Sequence, residues 1–230
     1  MSTDVPPAGS EPAAARRLQI LATEHWSLLA TRSLTYTESL TRVTIFLAIL
    51  SGAVIALALV AQADRFGTAF SAIAIVVLSV VLFAGVATIS RLNMLNRDDY
   101  RWIVGMNRLR NGYLEMHPEL APHFITSPYD DLPGALRTLG IELVPSGRGL
   151  GSAFHLLQTP PGMLTVIVAA VGGAIGALAA LMVGVPPLGM VVAAAVAFAV
   201  VLAAMWAWGR QAVTESPPSL EPRFRSPRDA

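Results

Sequence analysis

The chain has 230 residues, 54% of them hydrophobic and 13% charged, with sixteen arginines, no lysine, no cysteine and a formal net charge of +1. So much apolar surface with so few charges lies outside the soluble range and calls for membrane spans. The lack of cysteine excludes disulfides, thiolate metal sites and cysteine nucleophiles.

Residues 1–12, MSTDVPPAGSEP, are rich in proline and small polar residues and have little to bury, so they predict a disordered tail. From Ala13 to Leu50 no proline or glycine interrupts the chain. Ala22, Trp26, Leu29, Ser33, Tyr36, Leu40, Val43 and Leu47 recur there at steps of four and three, which places them on one helical stripe. The spacing predicts one long helix that enters a membrane from the cytoplasm.

Crossing about 30 Å of hydrocarbon takes roughly 20 apolar residues at about 1.5 Å each. Residues 43–63 and 66–90 meet that length without an acid, lysine or arginine, and Asp64 and Arg65 lie in the turn between them. The first run starts too far into the chain for a signal peptide and is followed at once by a second span. Both runs are apolar all round, which excludes the alternation of barrel strands.

The charged stretch NRDDYRWIVGMNRLRNGYLEMHPEL follows the second span. Leu92, Leu95, Trp102, Met106, Leu109, Tyr113 and Met116 share one helical stripe, with Asp99 filling the gap, and His117-Pro118 ends the helix. Gly105 and Gly112 weaken it by roughly 1 kcal/mol each relative to alanine. Residues 13–116 thus read as an amphipathic helix, a transmembrane hairpin and a juxtamembrane helix. Helices joined by a short outer turn stay neighbours where they leave the membrane, so a cytoplasmic helix pair is expected, with Trp26, Tyr36, Trp102, Met106, Leu109 and Tyr113 at its interface. Arg32 lies eleven residues below Val43, and Asp98 and Asp99 lie eight and nine below Ser90. Glu24 lies nineteen below Val43, and Arg108 and Arg110 lie eighteen and twenty below Ser90. Contacts of Arg32 with Asp98 or Asp99, and of Glu24 with Arg108 or Arg110, are therefore predicted, as register marks more than as stabilisers.

Residues 117–162 form a proline- and glycine-rich cytoplasmic loop with room only for short helices. TSPYDD starts one, with Ser127 as cap, Pro128 at the first helical position and the acids in the first turn, and GALRTLG ends it at Gly140. PSGRGLGS reads as a connector and AFHLLQ as one interfacial turn. The second hairpin spans 163–183 and 188–208, with Gly184-Val185-Pro186-Pro187 as its turn. Residues 209–230 read as a disordered cytoplasmic tail. Only Arg65 of the sixteen arginines lies in an outer turn, so the positive-inside rule places both termini and the central segment in the cytoplasm. Trp206 and Trp208 fit an interfacial belt on that side.

Chemical motifs are sparse. His117 and His123 with Glu119, Asp130 and Asp131 are the residues from which a metal site or a lipid enzyme's acid-base loop would be built, but no ligand spacing backs them and ordinary loop residues are favoured. Gly147, Gly149 and Gly151 lack the lysine and preceding strand of a phosphate loop. Asp130-Asp131 reads as a solvated helix start, and no G-x-S-x-G elbow appears. No catalytic, cofactor or metal residue is therefore assigned. The spans carry no ionisable group of the kind that marks coupled transporters. Their four-spaced small residues, Ala48, Gly52 and Ala56, Gly172 and Gly176, and Ala195, Ala199 and Ala203, favour packing within one bundle over packing between protomers.

The order of amphipathic helix, span hairpin and charged helix with RDDYRW resembles that of several uncharacterised bacterial multi-pass membrane families. It is also similar to the SLATT two-span effectors over residues 16–116, and that resemblance implies a membrane-perturbing role. The second hairpin departs from the two-span pattern.

The sequence thus predicts an all-α, four-span inner-membrane protein with a small cytoplasmic helical layer, acting as a structural or interaction protein. Its expected partners are the bilayer, a second copy of the chain and a cytoplasmic protein, with no nucleic acid and no cofactor. The alternative is an oligomeric pore lined by Thr44, Ser51, Ser71, Ser79 and Thr88.

Overall fold

A computed structural model describes residues 10–64, 67–140, 159–213 and 220–227. In chain order the helices are α1 (Ser10–Asp64), α2 (Thr68–Met116), a 3-10 helix (Pro118–His123), α3 (Leu132–Thr138), α4 (Pro160–Met182) and α5 (Pro187–Val213), and no strand occurs among the described residues. Four of these helices, α1, α2, α4 and α5, are long and apolar enough to cross a membrane. The expected all-helical class with four such helices is what the chain adopts. The connector at 145–152 and the turn expected at 153–158 lie outside the described residues.

At 55 and 49 residues, α1 and α2 run well beyond a span. About 20 residues of each suffice for a bilayer core, so more than half of each helix is left for other work. The chain divides into two compact units. One comprises Met1–Tyr36, Arg97–Ser146 and Ser216–Ala230, and we call it the charged unit. The other, Thr37–Asn96 and Gly147–Glu215, is the apolar unit.

In the apolar unit, residues of α1, α2 and α4 share a core that includes Phe46, Leu78, Val81, Ile89, Leu92, Leu164, Val168 and Val171. Gly85 of α2 makes this packing close: a Cβ there would run into the side chains of Val168 and Phe46. The α4–α5 hairpin is built the same way. A Cβ on Gly172 would sit 2.7 Å from Val201, and one on Gly176 would sit 2.7 Å from the Ala197 methyl and 2.9 Å from the Ala193 carbonyl. Small residues let backbones approach where the hydrophobic effect cannot separate helix from lipid. Gly184, at φ +75°, supplies the left-handed residue after α4 that glycine adopts without strain.

Polar groups tie the ends. In the turn between α1 and α2, the Asp64 carboxylate accepts from the Phe70 amide at 2.7 Å, satisfying a donor of the α2 first turn. Thr159 caps α4, accepting from the Gly162 amide at 3.3 Å. Glu38 takes a fork from Arg91 (3.0 and 3.1 Å) and a bond from Arg42 (2.8 Å). Those hydrogen bonds, Arg91 first, lower the Glu38 carboxyl to about 2.

Not every small-residue stripe packs as expected. Gly172 and Gly176 lie inside the hairpin, but Ala48, Gly52 and Ala56 and the stripe Ala195, Ala199 and Ala203 are exposed. Nothing approaches within 4 Å of a Cβ built on Gly52. The reason is geometric: each outer helix of a hairpin has only one face its neighbours can reach.

This contrast sets a test. Gly176→Leu should lower the stability of the detergent-purified chain by about 1–3 kcal/mol through overpacking, whereas Gly52→Leu should stay within about 0.5 kcal/mol. Thermal or denaturant unfolding measures both, and equal losses would contradict the packing described.

Candidate functional site

The charged unit is organised by α1 lying antiparallel against α2. Arg17 Nη2 meets Glu115 Oε2 at 3.1 Å, and Arg32 Nε meets Asp99 Oδ1 at 2.7 Å with Nη2 to Oδ2 at 3.4 Å. Between these ion pairs, Leu21 lies over Gly112 and Leu28 over Gly105, so that a Cβ on either glycine would touch a leucine methyl at 3.4 and 3.0 Å. The two glycines are thus the notches that receive α1. Their helix-weakening effect is offset by close approach. His25 completes the seam, stacked on Tyr113 with ring centroids 5.9 Å apart.

The expected depth of pairing and the expected rotation of α1 part company here. Of the residues expected at the interface, Met106 is buried and Trp102, Leu109 and Tyr113 are half-buried. On α1, however, Trp26 is 71% exposed and Tyr36 66% exposed, so neither faces α2. Leu21, His25, Leu28 and Arg32 take that place, one position before the most apolar stripe. Arg32 reaches Asp99, while Asp98 bonds Arg101 at 3.3 Å within its own helix. Glu24 is exposed on α1, and the arginines expected to meet it have other partners: Arg108 bonds Asp130, and Arg110 bonds Asn107. The correction follows from the glycine notches, which admit leucine at positions 21 and 28 and thereby turn Glu24 and Trp26 outward. The Trp102 Nε1 is buried without a partner among the described residues.

A residue that periodicity did not single out, Asn107, is the hub of the unit. It is fully buried, donates to the Tyr129 carbonyl at 2.7 Å, and accepts from Arg110 at 2.8 Å and Thr138 at 2.9 Å. One carboxamide therefore ties α2 to the following loop and to α3. Asn–Arg–x–Arg beside a buried stripe was the available signal, since a buried amide must be satisfied on both ends.

The loop then turns into α3. Asp131, not Ser127, is its cap, accepting from the Gly134 amide at 3.0 Å, with Pro133 in the first turn. Ser127 instead accepts from the Tyr129 amide at 3.1 Å, shaping the turn before the cap. Gly140 follows α3 at φ +70°.

Asp130-Asp131 is no solvated helix start. Asp130 is buried, and its carboxylate accepts from Arg108 Nε at 2.6 Å, from the Arg223 amide at 3.0 Å and from the Phe224 amide at 2.7 Å. Its own amide donates to the Phe224 carbonyl at 3.0 Å. Asp131 accepts from the amide and hydroxyl of Ser226, each at 2.7 Å. Arg108 Nη2 also donates to the Glu221 carbonyl at 2.8 Å. Residues 221–226, expected to be disordered, are therefore strapped to the charged unit. The tail expectation at 209 is likewise moved, because α5 continues to Val213. Low hydrophobicity misled here because the strap is held by backbone groups, which composition does not reveal.

Burial alone would raise the Asp130 carboxyl, but the Arg223 and Phe224 amides and Arg108 outweigh it and hold it below the ordinary carboxylate range. Burial opposes the Asp131 shift likewise, and the Ser226 and Gly134 donors again win. As for the histidine-acid loop, His117 Nδ1 lies 3.0 Å from Glu119, His123 is exposed, and both aspartates face the strap. Among the described residues no group of three or more His, Asp or Glu side chains is placed to hold a metal ion. Of the hydroxyls considered for a pore, Ser71 is buried and bonds the Gly67 carbonyl, and Thr88 bonds the Ala84 carbonyl. Thr44 bonds the Leu40 carbonyl and is exposed, as are Ser51 and Ser79. Compared with family models, curated proteins and solved structures, the chain matches none.

Two outcomes test this node. Asp130→Ala leaves Arg108 and two amides without their acceptor and should destabilise the chain by about 3 kcal/mol, read by denaturant unfolding; a loss under about 0.5 kcal/mol would contradict the role given to Asp130. Burial, then Arg110, lowers the pKa of His25, so on acidification the unfolded chain protonates first, near pH 6.5. Stability should be full above about pH 7 and decline below it, and His25→Gln should flatten that decline. An unchanged slope in the variant would remove His25 as its source.

Proposed function

We propose that this chain is an inner-membrane interaction protein whose termini and charged unit lie in the cytoplasm, and that it self-associates through the outer face of α1. The observation that carries this reading is the set of large apolar side chains that α1 leaves exposed in the charged unit: Trp26 and Tyr36 are 71% and 66% exposed, with Leu29 at 43%. Apolar patches of that kind, outside a membrane, mark interaction surfaces. The stripe steps by three and four residues from Ala22 to Tyr36, the repeat of a coiled-coil seam. Thr23 on its flank folds its hydroxyl back to the Gln19 carbonyl at 2.8 Å, so that position brings a methyl and no unmet hydrogen bond to a partner.

The apolar unit adds support of its own. Ala48, Gly52 and Ala56 form an exposed small-residue stripe on α1, of the type at which membrane helices approach each other. The arginine distribution, with only Arg65 in an outer turn, supports the cytoplasmic placement. A pore formed by the same self-association is the second reading, favoured by the exposed Thr44 and Ser51 on α1. Ion flux through vesicles carrying the reconstituted chain separates the two readings: conductance supports the pore, and electrically silent oligomers support the interaction protein.

The chain has no cysteine, so single cysteines report association directly. In membranes, Leu29→Cys and Tyr36→Cys should give dimers with a short thiol crosslinker, and Leu28→Cys, which faces Gly105, should give at least tenfold less. Monomers throughout, or equal yields at 28 and 29, would contradict self-association by this face.

A further inference from the structure

The strap poses a question that the rest of the charged unit does not answer. Eight described residues, Leu220 to Pro227, lie within the charged unit, held by hydrogen bonds that are almost wholly main-chain on the strap's side. Asp130 takes the amides of Arg223 and Phe224 and gives its own amide to the Phe224 carbonyl. Arg108 takes the Glu221 carbonyl while its Nε holds Asp130. Asp131 takes both donors of Ser226. Main-chain bonds of this kind are how peptide segments are commonly bound: they supply affinity, and a side-chain contact supplies selectivity. Ser226 supplies the only strap side-chain hydrogen bond in this set. Arg223 and Arg225 are exposed.

We propose that the Asp130–Asp131–Arg108 corner is a peptide-binding site, filled in the resting chain by its own residues 221–226, with Ser226 as the residue that determines fit. The seated segment shows what the site takes, and the buried carboxylate of Asp130, with its side chain 0% exposed, shows why it takes it. A carboxylate withdrawn from water needs donors on its remaining lone pairs. Arg108 supplies one donor, and the two strap amides supply the others. The ligand class follows: a bent segment that turns two successive amides onto one carboxylate and, two residues further on, offers a serine amide and hydroxyl.

The same geometry says how the site is opened. The Ser226 hydroxyl must donate, since its partner is an ionised carboxylate that can only accept. A negatively charged group on that oxygen removes the donor and sets like charges side by side next to Asp131, with Asp130 adjacent. Displacement of the strap frees the corner for a second segment of the same pattern. None of this depends on self-association, because the ligand can be supplied as a free peptide.

The test uses the full chain in mild detergent and a fluorescent peptide of residues 220–227. Wild-type chain should bind it weakly because its own strap occupies the corner, and Ser226→Glu should bind it at least tenfold more tightly. A peptide with phosphoserine at the position of Ser226 should bind the Ser226→Glu chain at least tenfold more weakly than the unmodified peptide. Amide exchange provides a readout that needs no added ligand. The amides of Arg223, Phe224 and Ser226 should be protected in wild type and exchange at least tenfold faster in Ser226→Glu. Equal peptide affinity in the two chains, equal binding of the two peptides, or protection that survives in Ser226→Glu would each overturn the proposal.

Discussion

A helix can give only one face to a given neighbour, and in the charged unit α1 gives that face to Leu21, Leu28 and Arg32 in place of its most apolar stripe. The choice is fixed by α2, which carries glycine at 105 and 112 where leucine methyls must enter, and an aspartate at 99 where a guanidinium must arrive. A partly exposed pair such as Arg32–Asp99 contributes only about 0–1 kcal/mol, so its value is rotational: it aligns two long helices that would otherwise slide or roll. Everything distinctive about the unit follows from that alignment. Trp26 and Tyr36 are turned outward, His25 is brought onto Tyr113, and α2 is left with a second face for the loop and α3.

That second face is a polar one, and it works because each group is satisfied. Asn107 bridges Tyr129, Arg110 and Thr138, and Arg108 bridges Asp130 and the strap. Buried polar networks specify one arrangement when complete and destabilise when broken. The apolar unit reaches specificity by the opposite means. Its helices meet through glycine and alanine contacts at Gly85, Gly172 and Gly176, where fit and not hydrogen bonding decides the neighbour. The same chain thus uses close packing where its residues are apolar and a hydrogen-bonded hub where they are charged.

The four apolar helices were legible because length and composition alone decide them, and the helix ends near His117 and Gly184 were legible because proline and glycine punctuate the chain. The depth at which Arg32 meets Asp99 was legible too, since rise per residue is fixed. What counting could not give was rotation. A shift of one residue turns a helix by about 100°, and the stripe through Trp26 and Tyr36 was the more apolar choice, so periodicity selected it over the stripe that fits the notches. Gly105 and Gly112 looked like weak points because a propensity scale sees the backbone and not the neighbour. The strap at 221–226 was hidden for a related reason: its bonds are made by amides that every residue carries. A local apolar stripe that the tertiary structure declines to bury is where function is to be sought, and this is why the outer face of α1 carries the functional reading.

The rotation of α1 on α2 is the claim on which the account stands. Paired cysteines in this cysteine-free chain measure it within one molecule, by the gel shift that a short thiol crosslinker produces. Leu28→Cys with Gly105→Cys should be joined efficiently, and Leu29→Cys with Gly105→Cys should not. Efficient joining of 29 to 105, with 28 left free, would place Trp26 and Tyr36 in the helix pair and contradict the account.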